Sequence, residues 1–141
     1  APHAGLFSTG PDLATFCQMM LNGGMYAHQR LLRRSTVTLF TTAEKIAAGT
    51  RTVGWMVPTE GGSSGKYFSG RSYGHTGFTG TTVWIDPEKE LFVVLLTNRV
   101  HPTSKNEKIK ELEDGIIANE QDGVSNDDYD QRFGQRHGPH D

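Results

Sequence analysis

The 141-residue chain has one cysteine, Cys17, so it can form neither an intrachain disulfide nor a CxxC metal site. It has no apolar run near the roughly 18 residues that a membrane-spanning helix needs. It has no excess of one charge. The 14 basic and 16 acidic side chains leave a formal net charge of −2, which removes the general electrostatic case for nucleic acid or an anionic membrane as partner. No internal repeat is present, and no leader with a basic start and an apolar stretch precedes the first helical pattern. The sequence opens at Ala1, so the expectation is a chain that has been processed or cut from something longer. No metal or cofactor is expected: His137 and His140 are close enough in sequence to share an ion, but they lie in a stretch with the composition of a solvated tail.

What the chain has in plenty is glycine. Its 17 glycines are about 12% of the residues against a usual ~7%, which points to many tight turns. The length suits one domain that buries roughly two thirds of its unfolded surface. Charge is unevenly spread: residues 1–120 carry net +1 and residues 121–141 net −3. The latter stretch offers only Val124, Tyr129 and Phe133 as sizeable apolar groups. It cannot bury enough to offset the entropy of ordering its backbone, and a disordered acidic tail over 121–141 is expected.

Hydrophobic spacing divides the rest. Leu13, Phe16, Cys17, Met20 and Leu21 form one helical stripe, predicting a helix over 11–22. Thr9 or Gly10 can cap it, Pro11 and Asp12 suit its first turn, and Asn22-Gly23-Gly24 stops it. In that stripe Cys17 is a small core residue rather than a reactive thiol. A short second helix is predicted over 34–41 around Val37 and Phe40. From Arg51 to Val57 the period changes to two, with Val53, Trp55 and Val57 on one face of a predicted strand. A Gly/Ser-rich loop, 58–66, follows, and Tyr67 to Ser69 is read as a short strand. Thr79 to Ile85 and Leu91 to Thr97, joined by the turn residues Asp86-Pro87-Glu88-Lys89, read as a long antiparallel hairpin, the second strand apolar enough to be buried on both faces. A capping box, Ser104-x-x-Glu107, opens a last helix with Ile109, Leu112, Ile116 and Ile117 facing the sheet. The fold class is therefore α+β, an antiparallel sheet flanked by helices. Both tryptophans, Trp55 and Trp84, read as packing residues.

The segment leading into the hairpin, Gly74-His75-Thr76-Gly77-Phe78-Thr79-Gly80, is where chemistry is most readily placed. Glycine lets a ligand approach the backbone, and a strand edge offers N–H donors that hold an oxyanion or pair with an extended peptide. A hydroxyl and an imidazole stand beside those donors. The alternative is a glycine-rich turn whose histidine bonds its own backbone, and the tripeptide alone favours that turn.

Residues 4–21, AGLFSTGPDLATFCQMML, and residues 74–102, GHTGFTGTTVWIDPEKELFVVLLTNRVHP, resemble the C-terminal part of the serine β-lactamase and penicillin-binding-protein-like hydrolases. The nearest group is class C-like, with D,D-peptidase, esterase and D-aminopeptidase relatives. The resemblance covers about residues 1–120 and implies the C-terminal portion of a β-lactamase/transpeptidase-like domain. Such enzymes acylate the serine of an SxxK motif, follow it with Tyr-x-Asn, and carry Lys-Thr-Gly or His-Thr-Gly on a sheet-edge strand. His75, Thr76 and Gly77 take the third position and would bind substrate, His75 and Thr76 on its carboxylate side. The backbone N–H of Phe78 would serve in the oxyanion hole.

The first two motifs are missing. Ser63-Ser64-Gly65-Lys66 fits SxxK by letter, but its glycines oppose the helical turn that brings lysine to serine. Thr42-Ala43-Glu44-Lys45 has the spacing with the wrong nucleophile, and no Tyr-x-Asn occurs. Class C β-lactamases carry lysine where His75 stands and an asparagine where Thr103 stands, so a peptidase or esterase relative is favoured over β-lactam hydrolysis. Asn98 and Arg99, at the end of the last strand, read first as a polar strand end. The expectation is a C-terminal segment of a serine hydrolase that acts on a small molecule or peptide in its parent and is inactive alone. The alternative is a non-catalytic module that binds a carboxylate or peptidoglycan. The family usually works outside the cytoplasm. Loss of the sheet strands contributed by its N-terminal region would leave an open edge and an uncovered apolar face, and predicts either self-association or a rearranged packing.

Overall fold

A computed structural model describes residues 6–46, 49–103 and 105. The chain order is α1 (Gly10–Leu21), β1 (Met25–Tyr26), β2 (Gln29–Arg30), α2 (Arg34–Thr41), β3 (Glu44–Ile46), β4 (Gly49–Arg51), β5 (Tyr73–Thr76), β6 (Thr82–Asp86) and β7 (Leu91–Leu95). The predicted helix after Ser104 and the tail over 121–141 lie outside the described residues.

Helix α1 begins and ends as its sequence dictates. Thr9 is extended at the N-cap. Its hydroxyl accepts from the Asp12 N–H at 3.3 Å and donates to the Asp12 carboxylate at 2.8 Å. At the other end Gly24 N donates to Met19 O at 2.9 Å and Gly23 N to Met20 O at 3.1 Å, the paired closure of a Schellman motif. Both glycines have positive φ, and a Cβ on Gly24 would lie 2.2 Å from the Leu32 carbonyl oxygen. No other residue type fits that bend.

Strands β5, β6 and β7 form one antiparallel sheet in that order, with Gly74 opposite Trp84 and Trp84 opposite Val93. Side chains alternate between its faces. On one face Tyr73 and Ile85 pack with Cys17, Met19 and Met20 of α1 and with Val37 of α2. On the other, Trp84 and Val93 pack with Phe68, half-buried Met56 and Tyr67 lying against them. The indole of Trp84 lies across Gly74: a Cβ there would be 2.5 Å from Trp84 Cδ2 and 2.3 Å from the Val83 carbonyl oxygen. This is the expected α+β architecture, an antiparallel sheet with helices packed on it.

Several expectations are corrected. Residues 51–57 are not a strand. Gly54 turns the chain at φ +87°, Val53 is 54% exposed, and pairing there is reduced to Met56, which bridges Arg51 on one side and Gly74 on the other. A hairpin of β3 and β4, which the sequence did not suggest, stands before it. Tyr67 to Ser69 is loop, fixed by burial of Phe68. The long hairpin is shorter than expected at both ends, because residues 77–81 are taken up by a turn and β7 stops at Leu95. Strand β7 is half-buried except at Val93, not buried on both faces, since it is the edge of this sheet among the described residues. Phe40 is 43% exposed, so α2 contributes Val37 alone to the core.

Candidate functional site

His75 and Thr76 close β5, and Gly77 begins the turn that returns the chain to β6. Strand alternation puts His75 on the face of Tyr73 and Thr76 on the face of Gly74. His75 is exposed, and its Nδ1 lies 2.7 Å from the carbonyl oxygen of Thr76. The imidazole thus lies in hydrogen-bond reach of the backbone of the next residue. The Thr76 hydroxyl is directed to the sulfur of Met56 at 3.9 Å.

The backbone of β5 supplies the more telling geometry. Gly74 N donates to Met56 O at 3.0 Å, and Met56 N donates back to Gly74 O at 2.8 Å. The peptide groups of Gly74 therefore point away from β6, and so, two residues on, do those of Thr76. Among the described residues no strand pairs along this outward edge beyond Met56. Gly77 N donates to Thr81 O at 2.7 Å and Gly80 N to Gly77 O at 3.0 Å, closing a tight loop with Phe78 at its apex. Phe78 is 75% exposed, and among the described residues its N–H has no acceptor. The structure thus brings His75, Thr76, Gly77 and the Phe78 N–H to one open strand end.

Two further residues enter: Arg99, which the sequence reasoning read as a polar strand end, and Thr97, which it read only as the end of a strand. The guanidinium of Arg99 lies over the Phe78 ring at 5.1 Å from its centroid, and Thr97 Oγ1 donates to the Thr79 carbonyl at 3.3 Å. A basic residue just beyond an apolar strand is too common a pattern to have singled out Arg99.

The literal SxxK stretch is a turn. Gly65 N donates to Gly62 O at 3.2 Å, Ser64 is buried, and the Lys66 ammonium lies 5.2 Å from the centroid of the Tyr67 ring. Thr42 caps α2 while Lys45 belongs to β3, so that pair shares no helical turn either. Burial pushes the Cys17 thiol up to about 12, only partly opposed by a backbone hydrogen bond, which leaves it protonated and inert at neutral pH. Tyr73, beside it, is likewise pushed up to about 12, first by burial and then by the charge of a Cys17 thiolate. Among the described residues no three His, Cys, Asp or Glu side chains gather where they could hold a metal ion. No helix of the described residues is long and apolar enough to cross a membrane.

The beta-lactamase family profile matches residues 1–115. The chain belongs to the beta-lactamase family. Similar proteins within it include an Escherichia coli (strain K12) protein described as "Putative D-alanyl-D-alanine carboxypeptidase". It is 44% identical over 102 residues, covering 70% of this chain and 23% of the relative. Proteins of the same description from Salmonella gallinarum and Salmonella typhi are 43% and 41% identical. Each match covers 76% of this chain and 25% of the relative. The beta-lactamase-family chain therefore spans about a quarter of the length of the relatives it matches.

Proposed function

We propose that this chain is the C-terminal segment of a serine hydrolase, in which β5 carries the third substrate-binding motif and the serine and its base are supplied from upstream. The observation that carries the reading is the open outward edge of β5 past Met56, ending at a Phe78 N–H with no acceptor among the described residues. Backbone donors held on a sheet edge stabilise the oxyanion of an acyl-transfer transition state without reorganising. Thr76 and the edge of β5 then receive the substrate beside the reacting bond, and His75 lies on the substrate's carboxylate side. The substrate class favoured is a short peptide or amide ending in a carboxylate, in keeping with the description that the Escherichia coli and Salmonella relatives carry.

Nucleophile and base act as a unit, so the 141-residue chain by itself should give no turnover of a chromogenic cephalosporin or a short-chain nitrophenyl ester. The polypeptide translated with its upstream sequence should hydrolyse the ester, and should carry SxxK at a helix start followed by Tyr-x-Asn. Turnover by the 141-residue chain that disappears in Ser63→Ala would overturn the reading. An upstream sequence without those motifs, together with binding of a D-alanyl-D-alanine peptide, would make the protein a binding module instead.

A further inference from the structure

The loop that presents Phe78 is held from outside its own strand pair. Its internal bonds, Gly77 to Thr81 and Gly80 to Gly77, tie only its two ends. A loop tied that way can still pivot at its apex, where Phe78 and Thr79 sit. The exit of β7 closes that freedom. The Thr79 carbonyl accepts from Arg99 N at 2.9 Å and from Thr97 Oγ1 at 3.3 Å. The Arg99 guanidinium covers the ring of Phe78, so the Phe78 side chain and the Thr79 carbonyl, both just after the Gly77–Phe78 peptide that carries the Phe78 N–H, are gripped. The approach is close because Gly80 permits it. Gly80 is buried with φ +87°, and a Cβ there would lie 2.5 Å from Thr97 Oγ1 and 3.3 Å from Arg99 Cβ.

We propose that Thr97 and Arg99 are positioning residues that fix the direction of the Phe78 N–H. This rests on the reading of Phe78 as an oxyanion donor, and it assigns the end of β7 a part in the site. An oxyanion donor works when it already points to where charge develops, so its support matters as much as its presence. Arg99 and Thr97 act through Phe78 and Thr79, not on the substrate itself.

The first test uses the 141-residue chain and backbone nitrogen relaxation. In the unsubstituted chain the Phe78 amide should be as ordered as that of Trp84. In Arg99→Leu its order parameter should drop below about 0.6, with Trp84 unchanged, and Arg99→Lys should keep it ordered. Thr97→Val, which removes one hydrogen bond at nearly constant volume, is the second variant and should loosen Phe78 less. An equally ordered Phe78 amide in Arg99→Leu and Thr97→Val overturns the proposal. The second test measures nitrophenyl ester hydrolysis by the polypeptide that includes the upstream sequence. Arg99→Leu should lower kcat about 10- to 100-fold with KM within about twofold, and Arg99→Lys should recover most of the loss. A raised KM with kcat intact would mean that Arg99 touches the substrate, and overturns a positioning role. If the unsubstituted polypeptide does not turn over the ester, the hydrolase reading falls, while the order of the Phe78 amide still decides whether Thr97 and Arg99 hold the loop.

Discussion

Strand β5 has two ends built on opposite principles. At its start, Ser69, Ser72 and Asp86 are tied to one another. The Asp86 carboxylate is fully buried and accepts from Ser69 N at 2.8 Å, Ser69 Oγ at 2.7 Å, Glu88 N at 3.0 Å and Lys89 N at 3.3 Å. At its finish, His75, Gly77 and Phe78 are exposed, and the Phe78 N–H has no acceptor among the described residues. One end consumes its polar groups internally, and the other leaves the Phe78 N–H for something else to meet. The difference shows how a four-residue strand can offer an accurate edge: the buried end fixes the loop before β5 to the turn after β6, and the register carries that order to His75 and Thr76.

The sharpest way to break this contrast is Asp86→Ala. It strands the Ser69, Glu88 and Lys89 N–H groups and should lower unfolding free energy by about 3 kcal/mol in urea titration. A cost below about 1 kcal/mol would mean that the buried end holds nothing. Gly74→Ala forces a methyl onto Trp84 and the Val83 carbonyl and should cost about 2 kcal/mol, with the indole signal of Trp84 shifted.

Acid provides the next test. Burial alone would raise the Asp86 carboxyl, but its hydrogen bonds from Ser69, Ser72 and Lys89 outweigh burial and hold it below its ordinary 3.8. A carboxyl depressed by folding contributes stability that is present above the unfolded value and lost as pH falls through the folded one. The stability gap between the natural chain and Asp86→Asn should therefore be constant above about pH 5 and shrink as pH drops below 3.8. A gap independent of pH would show that the charge of Asp86 is irrelevant. The smallest effect belongs to the open end: Phe78→Ala should change unfolding free energy by less than about 0.5 kcal/mol, because its ring is largely in water.

Much of this was legible in the residues because it is local. Thr9, Asp12 and the two glycines after Asn22 specify both ends of α1 within a few positions. Thr82–Asp86 and Leu91–Leu95 announce themselves by β-branched and apolar runs on either side of Asp86-Pro87. The candidate site was legible as the run from Gly74 to Gly80, through its glycines and its resemblance to a known motif. What was not legible depends on distant partners. Asp86 read only as a turn residue, since Ser69 stands 17 positions away. Val53, Trp55 and Val57 imitate a strand, but Gly54 bends the chain and only Met56 finds a partner. Glu44–Ile46 and Gly49–Arg51 carry no alternation strong enough to announce a hairpin. The part of Arg99 could be seen only after β7 had folded back beside Phe78.

The two tryptophans divide the sheet between them. Trp55 lies on the helix side, 6.2 Å from Phe16 and edge-on to Tyr73 at 5.5 Å, while Trp84 lies on the loop side with Phe68 at 5.7 Å. They amount to two internal fluorophores, one per face. Trp55→Phe leaves an emission that follows the docking of residues 58–72, and Trp84→Phe leaves one that follows the docking of α1. Coincident melting curves from the two single-tryptophan chains would mean that both faces are lost in one cooperative step, and separated curves would date which covering comes off first.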